Sequence, residues 1–265
     1  MSLSRRQVAV AAAAVPLAFD ATGTAHAGSR RTPTLYIAGD STAAQKYKDA
    51  APETGWGMAI PFFLRSSGIA VSNHAVNGRS SKSFVDEGRL KAILSAIRPG
   101  DFLLIQFAHN DEKAEDPTRY TEPWTTYQQY LRMYLDGARA RGARPVLATS
   151  VERRRFDAAG KALPTHGEYP AAMRALAAEE RVTLLDVQEL SLALWQRIGV
   201  EETKKYFNWT VTEQDNTHFN PPGAIEAARL VARELLRTRV LGPRDVRRLD
   251  GRIPESWITW PESAA

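Results

Sequence analysis

Short apolar runs alternate along the chain with longer stretches in which apolar residues recur every three or four positions. The short runs lie at residues 34–38, 69–76, 102–107, 145–149 and 182–187. Each has the length and character of a strand buried on both faces. Between them, Leu90, Ile93, Leu94 and Ile97 mark one face of a helix, and Pro99-Gly100 ends it. Tyr127, Tyr130, Leu131, Tyr134, Leu135 and Ala138 form a second stripe, closed by Gly142. Ala224, Ala228, Val231, Ala232 and Leu235 form a third, with Asn220 as N-cap ahead of Pro221-Pro222. Strands alternating with helices predict βαβ units with right-handed crossovers. The expected fold is α/β: a three-layer α/β/α sandwich with a five-stranded, mostly parallel sheet. Its ligand chemistry is expected at the carboxyl ends of the strands. After about Leu241 the periodicity fades into a stretch rich in Pro, Gly and charge, expected to be a surface tail held by Trp257 and Trp260.

The first three strand ends share a chemical character. They lead into Gly39-Asp40-Ser41, Asn77-Gly78-Arg79-Ser80 and His109-Asn110-Asp111. Any one of these reads as an ordinary turn, since Gly, Asn, Asp and Ser are turn formers. Three at neighbouring strand ends converge on one sheet edge. A fourth cluster, Asp215-Asn216-Thr217-His218, stands just before the last helix. Asp and His three residues apart can meet within one turn of chain. A hydroxyl nucleophile needs such a base and such an orienting partner, and Ser41 is the hydroxyl this pair can serve.

Composition narrows the classes. The 265 residues are 43 % hydrophobic and 25 % charged, ordinary for a globular protein. The chain has no cysteine, which excludes disulfides, thiolate nucleophiles and Cys-ligated metals. The net charge of +5 is scattered, apart from Arg153-Arg154-Arg155 and residues 244–248. Nucleic acid is therefore not an expected partner, and a polyanionic polymer suits the mild excess as well. The sequence holds no G-x-x-x-x-G-K-[ST] run and no metal-ligand spacing, so neither cofactor nor metal is expected. The N-terminus has the order of an export signal: Arg5-Arg6, an apolar run over residues 8–19 too short to span a membrane, and Ala25-His26-Ala27. The paired arginines favour the twin-arginine type. Residues 1–27 are expected to be removed, leaving a secreted chain, extracellular or periplasmic, of charge +4 with no membrane attachment. Residues 28–240 are expected to form the catalytic domain and 241–265 the tail.

These blocks resemble the SGNH (GDSL-like) hydrolase superfamily, whose four blocks are matched by Gly39-Asp40-Ser41, Gly78, Asn110-Asp111, and Asp215 to His218. "LYIAGDST", "GWG", "NHAVNGRSSKSF", "FAHND" and "DNTHFNPPGA" are similar to its rhamnogalacturonan acetylesterase-like branch, over about Leu35 to Arg239. The resemblance implies a flavodoxin-like SGNH hydrolase fold with a five-stranded parallel sheet. It also implies removal of O-acetyl groups from plant cell-wall polysaccharide, rhamnogalacturonan or another pectin, through an acetyl-enzyme. Ser41 is then the nucleophile, His218 the base and Asp215 its partner. The N–H groups of Ser41 and Gly78 and the amide of Asn110 form the oxyanion hole.

Other readings remain: a lipid esterase, thioesterase or acetylxylan esterase on this fold, or a non-catalytic flavodoxin-like binder with "GDSTAAQ" as an anion-binding turn. A binder has no use for the Asp215/His218 pair. His109 either lines the pocket or fills space behind Asn110, and His166 is a candidate for the border of the substrate groove. Arg154 and its neighbours either hold a uronate carboxylate or pair with a structural acid. Asp40 and Asp111 read as loop-shaping acceptors, and His74 and Trp56 as structural. Ala108 stands where that branch usually has Gly, and its methyl is expected to narrow the site or shift its backbone.

Overall fold

The computed structural model describes residues 31–262, and the export segment expected over residues 1–27 lies outside them. Along the chain come β1 (Thr34–Gly39), α1 (Trp56–Ala59), β2 (Ala70–Asn73), α2 (Ser81–Asp86), α3 (Arg89–Ala96), β3 (Phe102–Gln106) and α4 (Gln128–Ala140). There follow β4 (Arg144–Ala148), α5 (Tyr169–Glu179), β5 (Thr183–Leu185), α6 (Val187–Ile198), β6 (Phe207–Trp209), β7 (Gln214–Phe219) and α7 (Pro221–Arg237). The first five strands form one parallel sheet in the order β2-β1-β3-β4-β5, as the alternating pattern predicts. β6 and β7 pair antiparallel in a separate ribbon.

Successive side chains of a strand point to opposite faces, and here each face feeds its own core. Leu35, Ile37, Phe102, Leu104 and Val146 pack with Trp195 of α6 and Ala224, Ala228 and Leu235 of α7. Ala38, Leu103, Ile105 and Leu147 pack with Phe84 of α2, Ile93 of α3, Leu131 and Leu135 of α4 and Leu176 of α5. Asn220 caps α7 as its sequence context predicts, its Oδ1 accepting from Gly223 N at 3.2 Å.

The differences fall at element ends. β2 stops at Asn73, short of residue 76, because the Asn73 side chain turns to Ala43 O (2.8 Å) and Ala75 N (3.1 Å). β5 ends at Leu185, and Val187 already opens α6. Tyr130 sits at the margin of its stripe, with its hydroxyl 3.5 Å from Asp86 Oδ1. The tail is woven in more deeply than two tryptophans would hold it. Leu241, Val246, Ile253 and Ile258 join the α6/α7 core. Arg229 Nη1 donates to the carbonyls of Leu249 (2.7 Å), Gly251 (2.9 Å) and Arg248 (3.3 Å). Trp260 donates to Glu53 O at 2.8 Å, while Trp257 stays 40 % exposed. Among the described residues no helix is long and apolar enough to cross a membrane.

Candidate active site

β1 delivers Asp40 and Ser41 into a tight turn, in which Ala43 N and Ala44 N both return to Asp40 O (3.2 and 3.1 Å). The Gly-Trp-Gly stretch clamps this turn, with Trp56 N on Thr42 O (2.8 Å) and Gly57 N on Ala43 O (3.2 Å). A Cβ on Gly57 would fall 2.3 Å from both Ala43 O and Asn73 Nδ2, so only glycine allows this approach. Trp56 is fully buried, its Nε1 donating to Gln106 Oε1 at 2.8 Å, as a structural tryptophan should. Asp40 is fully buried and accepts from Thr42 N (2.9 Å) and Thr42 Oγ1 (2.7 Å). Burial pushes its pKa up, but adjacent His109 and the two Thr42 bonds outweigh that and hold it at about 2.

The Ser41 hydroxyl lies 2.9 Å from His218 Nε2, and His218 Nδ1 lies 2.7 Å from Asp215 Oδ2. Both partners sit on β7, a strand of the separate ribbon, although the sequence places them only ahead of the last helix. The Asp215 carboxylate also closes its own turn, Oδ1 accepting from Thr217 N (2.6 Å) and His218 N (3.0 Å). Burial raises its pKa, and the bonds from the His218 ring and the two N–H groups bring it down to about 2. An ionised carboxylate only accepts, so the imidazole hydrogen belongs on Nδ1 and Nε2 is left to accept from Ser41.

Two more strand exits face this line. Val76 N bonds Gly39 O at 3.0 Å, which brings the exit of β2 alongside β1. Gly78 has φ +75°, a left-handed backbone, and a Cβ there would meet nothing nearer than Arg119 Nη1 at 3.9 Å. The glycine is thus required by conformation, not by crowding. Among the described residues neither the Ser41 N–H nor the Gly78 N–H has an acceptor. Asn110, at the exit of β3, donates from Nδ2 to Arg79 O at 3.1 Å. That bond fixes the amide and leaves its second N–H free.

Behind these groups lies a buried polar layer. Asp111 is fully buried; both its oxygens accept from Ser81 N at 3.1 Å, and Ser81 Oγ and Thr121 Oγ1 (3.1 Å) add to them. Burial prevails over those bonds and pushes its pKa to about 7. Asp111 ties the start of α2 to β3, the loop-shaping role expected of it. His109 Nδ1 lies 3.2 Å from Asp40 Oδ2 but out of line for a hydrogen bond. Burial draws its pKa down to about 4, so the ring is neutral. His109 is buried, its ring held between Asp40 and the ring of His166. His166, expected at the groove, is only 1 % exposed. Its Nε2 lies 3.1 Å from Val151 O, its Nδ1 lies 3.2 Å from Glu112, and its ring meets His109 edge-on at 4.4 Å. Both rings are out of a ligand's reach. Arg154 is buried too: its N bonds Asn216 O (2.8 Å), Nη1 bonds Asn216 Oδ1 (3.0 Å) and Nη2 bonds Val200 O (2.7 Å). It braces the turn that carries Asp215 and His218.

Lys46 escapes a sequence reading, because a lone lysine in a polar stretch carries no signal. It is 1 % exposed, with Nζ on Asn77 Oδ1 (2.7 Å) and Glu53 Oε1 (2.5 Å), tying the Ser41 turn to the Gly78 loop. The Ala108 methyl lies in the core with Phe84 and Phe107, so the narrowing expected of it does not occur. His74 serves structure, stacked on Tyr36 at 5.6 Å and bonded to Ser72 Oγ at 2.9 Å. Among the described residues no three His, Asp or Glu side chains gather as metal ligands.

Comparison with known proteins agrees with this geometry. Residues 37–224 match the GDSL-like Lipase/Acylhydrolase family. The chain is 46 % identical over 207 residues to rhamnogalacturonan acetylesterase RhgT of Bacillus subtilis, covering 75 % of this chain and 87 % of that protein. It is 47 % identical over 199 residues to the probable rhamnogalacturonan acetylesterase YesY of the same organism, covering 75 % and 90 %. The crystal structure of Bacillus subtilis YxiM matches with TM-score 0.72 at 31 % identity, over 80 % of this chain and 58 % of that chain. An acetylxylan esterase from Geobacillus stearothermophilus shares the fold, with TM-score 0.54 at 14 % identity over 79 % of this chain and 95 % of that one. With a serine, a histidine and an aspartate in line at the sheet edge and a family match across most of its length, the chain belongs to the GDSL-like lipase/acylhydrolase family and is a carboxylic ester hydrolase.

Proposed function

We propose that the chain is a secreted carbohydrate acetylesterase that removes O-acetyl groups from rhamnogalacturonan or a related pectin through an acetyl-enzyme. The observation that carries this reading is the line of hydrogen bonds from Asp215 through His218 to Ser41. Relatives named for rhamnogalacturonan acetylesterase activity direct it to the substrate.

Ser41 Oγ attacks the ester carbonyl as His218 Nε2 takes its proton. Asp215 holds the ring in its tautomer and stabilises the imidazolium. The negative oxygen of the tetrahedral intermediate meets the N–H groups of Ser41 and Gly78 and the free amide N–H of Asn110. Collapse expels the sugar hydroxyl, which receives the proton from His218 and leaves acetyl on Ser41. Water, deprotonated by His218, repeats the sequence and releases acetate.

Acetate release from acetylated rhamnogalacturonan, homogalacturonan and xylan, with Ser41→Ala as control, tests the reading. Release is expected from rhamnogalacturonan first and to vanish in the variant. No release from any of the three would end the carbohydrate reading. Export rests on Arg5-Arg6, the apolar run and Ala25-His26-Ala27. N-terminal sequencing of the exported protein should begin near Gly28, and an intact N-terminus would count against cleavage there.

A further inference from the structure

Beside the turn that carries Asp215 and His218 opens a pocket of about 410 Å³, lined by Arg153, Arg154, Arg155, Thr165 and Asn216. Three of its five lining residues bear a guanidinium and none is acidic. The three arginines are differently committed. Arg153 pairs with Glu112. Arg154 donates from Nη1 to Asn216 and from Nη2 to Val200, leaves its buried Nε without an acceptor among the described residues, and is held near the rings of Trp209 (4.7 Å) and Phe156 (5.6 Å). Arg155 is exposed, and among the described residues its guanidinium has no hydrogen-bond or ion-pair partner. The cleft beside Gly78 offers a contrast. It also holds three cations, Arg79, Lys82 and Arg119, but each already faces a carboxylate, of Glu87, Asp86 and Asp116.

A guanidinium matches a carboxylate with two parallel, charge-assisted hydrogen bonds. A pectic backbone presents such carboxylates on its galacturonate rings. We propose that this pocket is a carboxylate subsite, in which Arg155 takes a galacturonate carboxylate of the substrate chain over a floor fixed by Arg154. Asn216, at the wall of the pocket, is also the residue between Asp215 and Thr217 in the catalytic turn. A chain anchored here lies against the turn that carries Asp215 and His218. The subsite rests on the pectic reading of the substrate given above.

The test uses the Ser41→Ala protein, which binds without turnover, and calorimetry with unacetylated oligogalacturonate as the free acid and as its methyl ester. The free acid is expected to bind more tightly, and the preference to fade as salt is raised. Adding Arg155→Gln should weaken the free acid about fivefold and abolish most of the preference, the scale of one exposed ion pair. A Ser41→Ala protein with no preference for the acid, or a preference that Arg155→Gln leaves intact, overturns the subsite. Acetate release from rhamnogalacturonan by the wild-type enzyme is measured alongside. Release without acid preference removes the subsite alone. Acid preference that depends on Arg155, without release, supports the subsite and removes the pectic acetylesterase reading alone.

Discussion

The serine side and the histidine side of this site are built in opposite ways. Ser41, Gly78 and Asn110 stand at the exits of three adjacent parallel strands, and Asp40, Ser41, Asn110 and Asp111 are all buried. Residues far apart in sequence must be held there to within a fraction of an ångström, and the two cores on opposite faces of the sheet do it. Asp215 and His218 sit on a two-stranded ribbon outside that sheet, with side chains 22 % and 31 % exposed. Their geometry is local: one carboxylate closes a four-residue turn, and Arg154 braces it from outside. In the proposed mechanism the oxyanion donors need rigidity, whereas the base needs contact with water to release the acetyl-enzyme. Each need is met by a different kind of architecture.

The comparison is broken most severely by cutting the line that joins the two sides. Ser41→Ala and Asp215→Asn should each lower kcat by roughly 10⁴-fold or more while leaving the melting temperature nearly unchanged, measured on any soluble acetyl ester. A modest loss in Asp215→Asn would mean that the ring needs no carboxylate to fix its tautomer. On the serine side alone, Asn110→Ala should cut kcat about a hundredfold. Unchanged turnover would remove Asn110 from the oxyanion hole. On the histidine side alone, Arg154→Met should loosen the turn and cost about tenfold in kcat with KM on a small neutral ester little changed, since small misplacements of a base are costly. An unaltered kcat would show that the turn holds itself.

The smallest effect is one of stability, and it belongs to the serine side. The pKa of Asp111 is raised to about 7, so its contribution is full below the unfolded value of 3.8 and is lost as pH rises through about 7. The pKa of His109 is depressed from 6.5 to about 4, so its contribution is full above 6.5 and is lost as pH falls through about 4. Over the same window the two slopes oppose each other. Asp111→Asn removes one of them. Its melting temperature should therefore climb with pH between about 4 and 6.5 more steeply than that of the wild type. Parallel profiles for the two proteins would mean that Asp111 is ionised in the fold.

The serine side was the more legible one in sequence. Apolar runs such as Leu35 to Ala38 and Phe102 to Phe107 mark central strands, and a parallel sheet puts their polar exits together whatever the intervening text. Asp215 and His218 were legible as a pair because their contact spans only three residues. Their strand was not: Gln214 to Phe219 is polar up to its last residue, and its partner Phe207-Asn208-Trp209 is too short to show alternation. Burial was the least legible property. His109 and His166 lie in loops whose composition points outward, yet Val151, Glu112 and Arg153 close over them from elsewhere in the chain. Lys46 is hidden for the same reason, since Asn77 and Glu53 meet it only in three dimensions.

The three carbonyls gathered by Arg229 have a practical consequence for shortening or fusing this protein. The family match stops at residue 224, near the start of α7, whereas the hydrophobic interior runs on to Ile258. A chain trimmed just beyond α7 would leave the guanidinium with Glu226 and the ring of Phe63, and uncover the outer flank of that helix. Such a protein would present a wet apolar face and invite self-association. A tag or partner domain belongs after Glu262, where the last described residues already reach the surface.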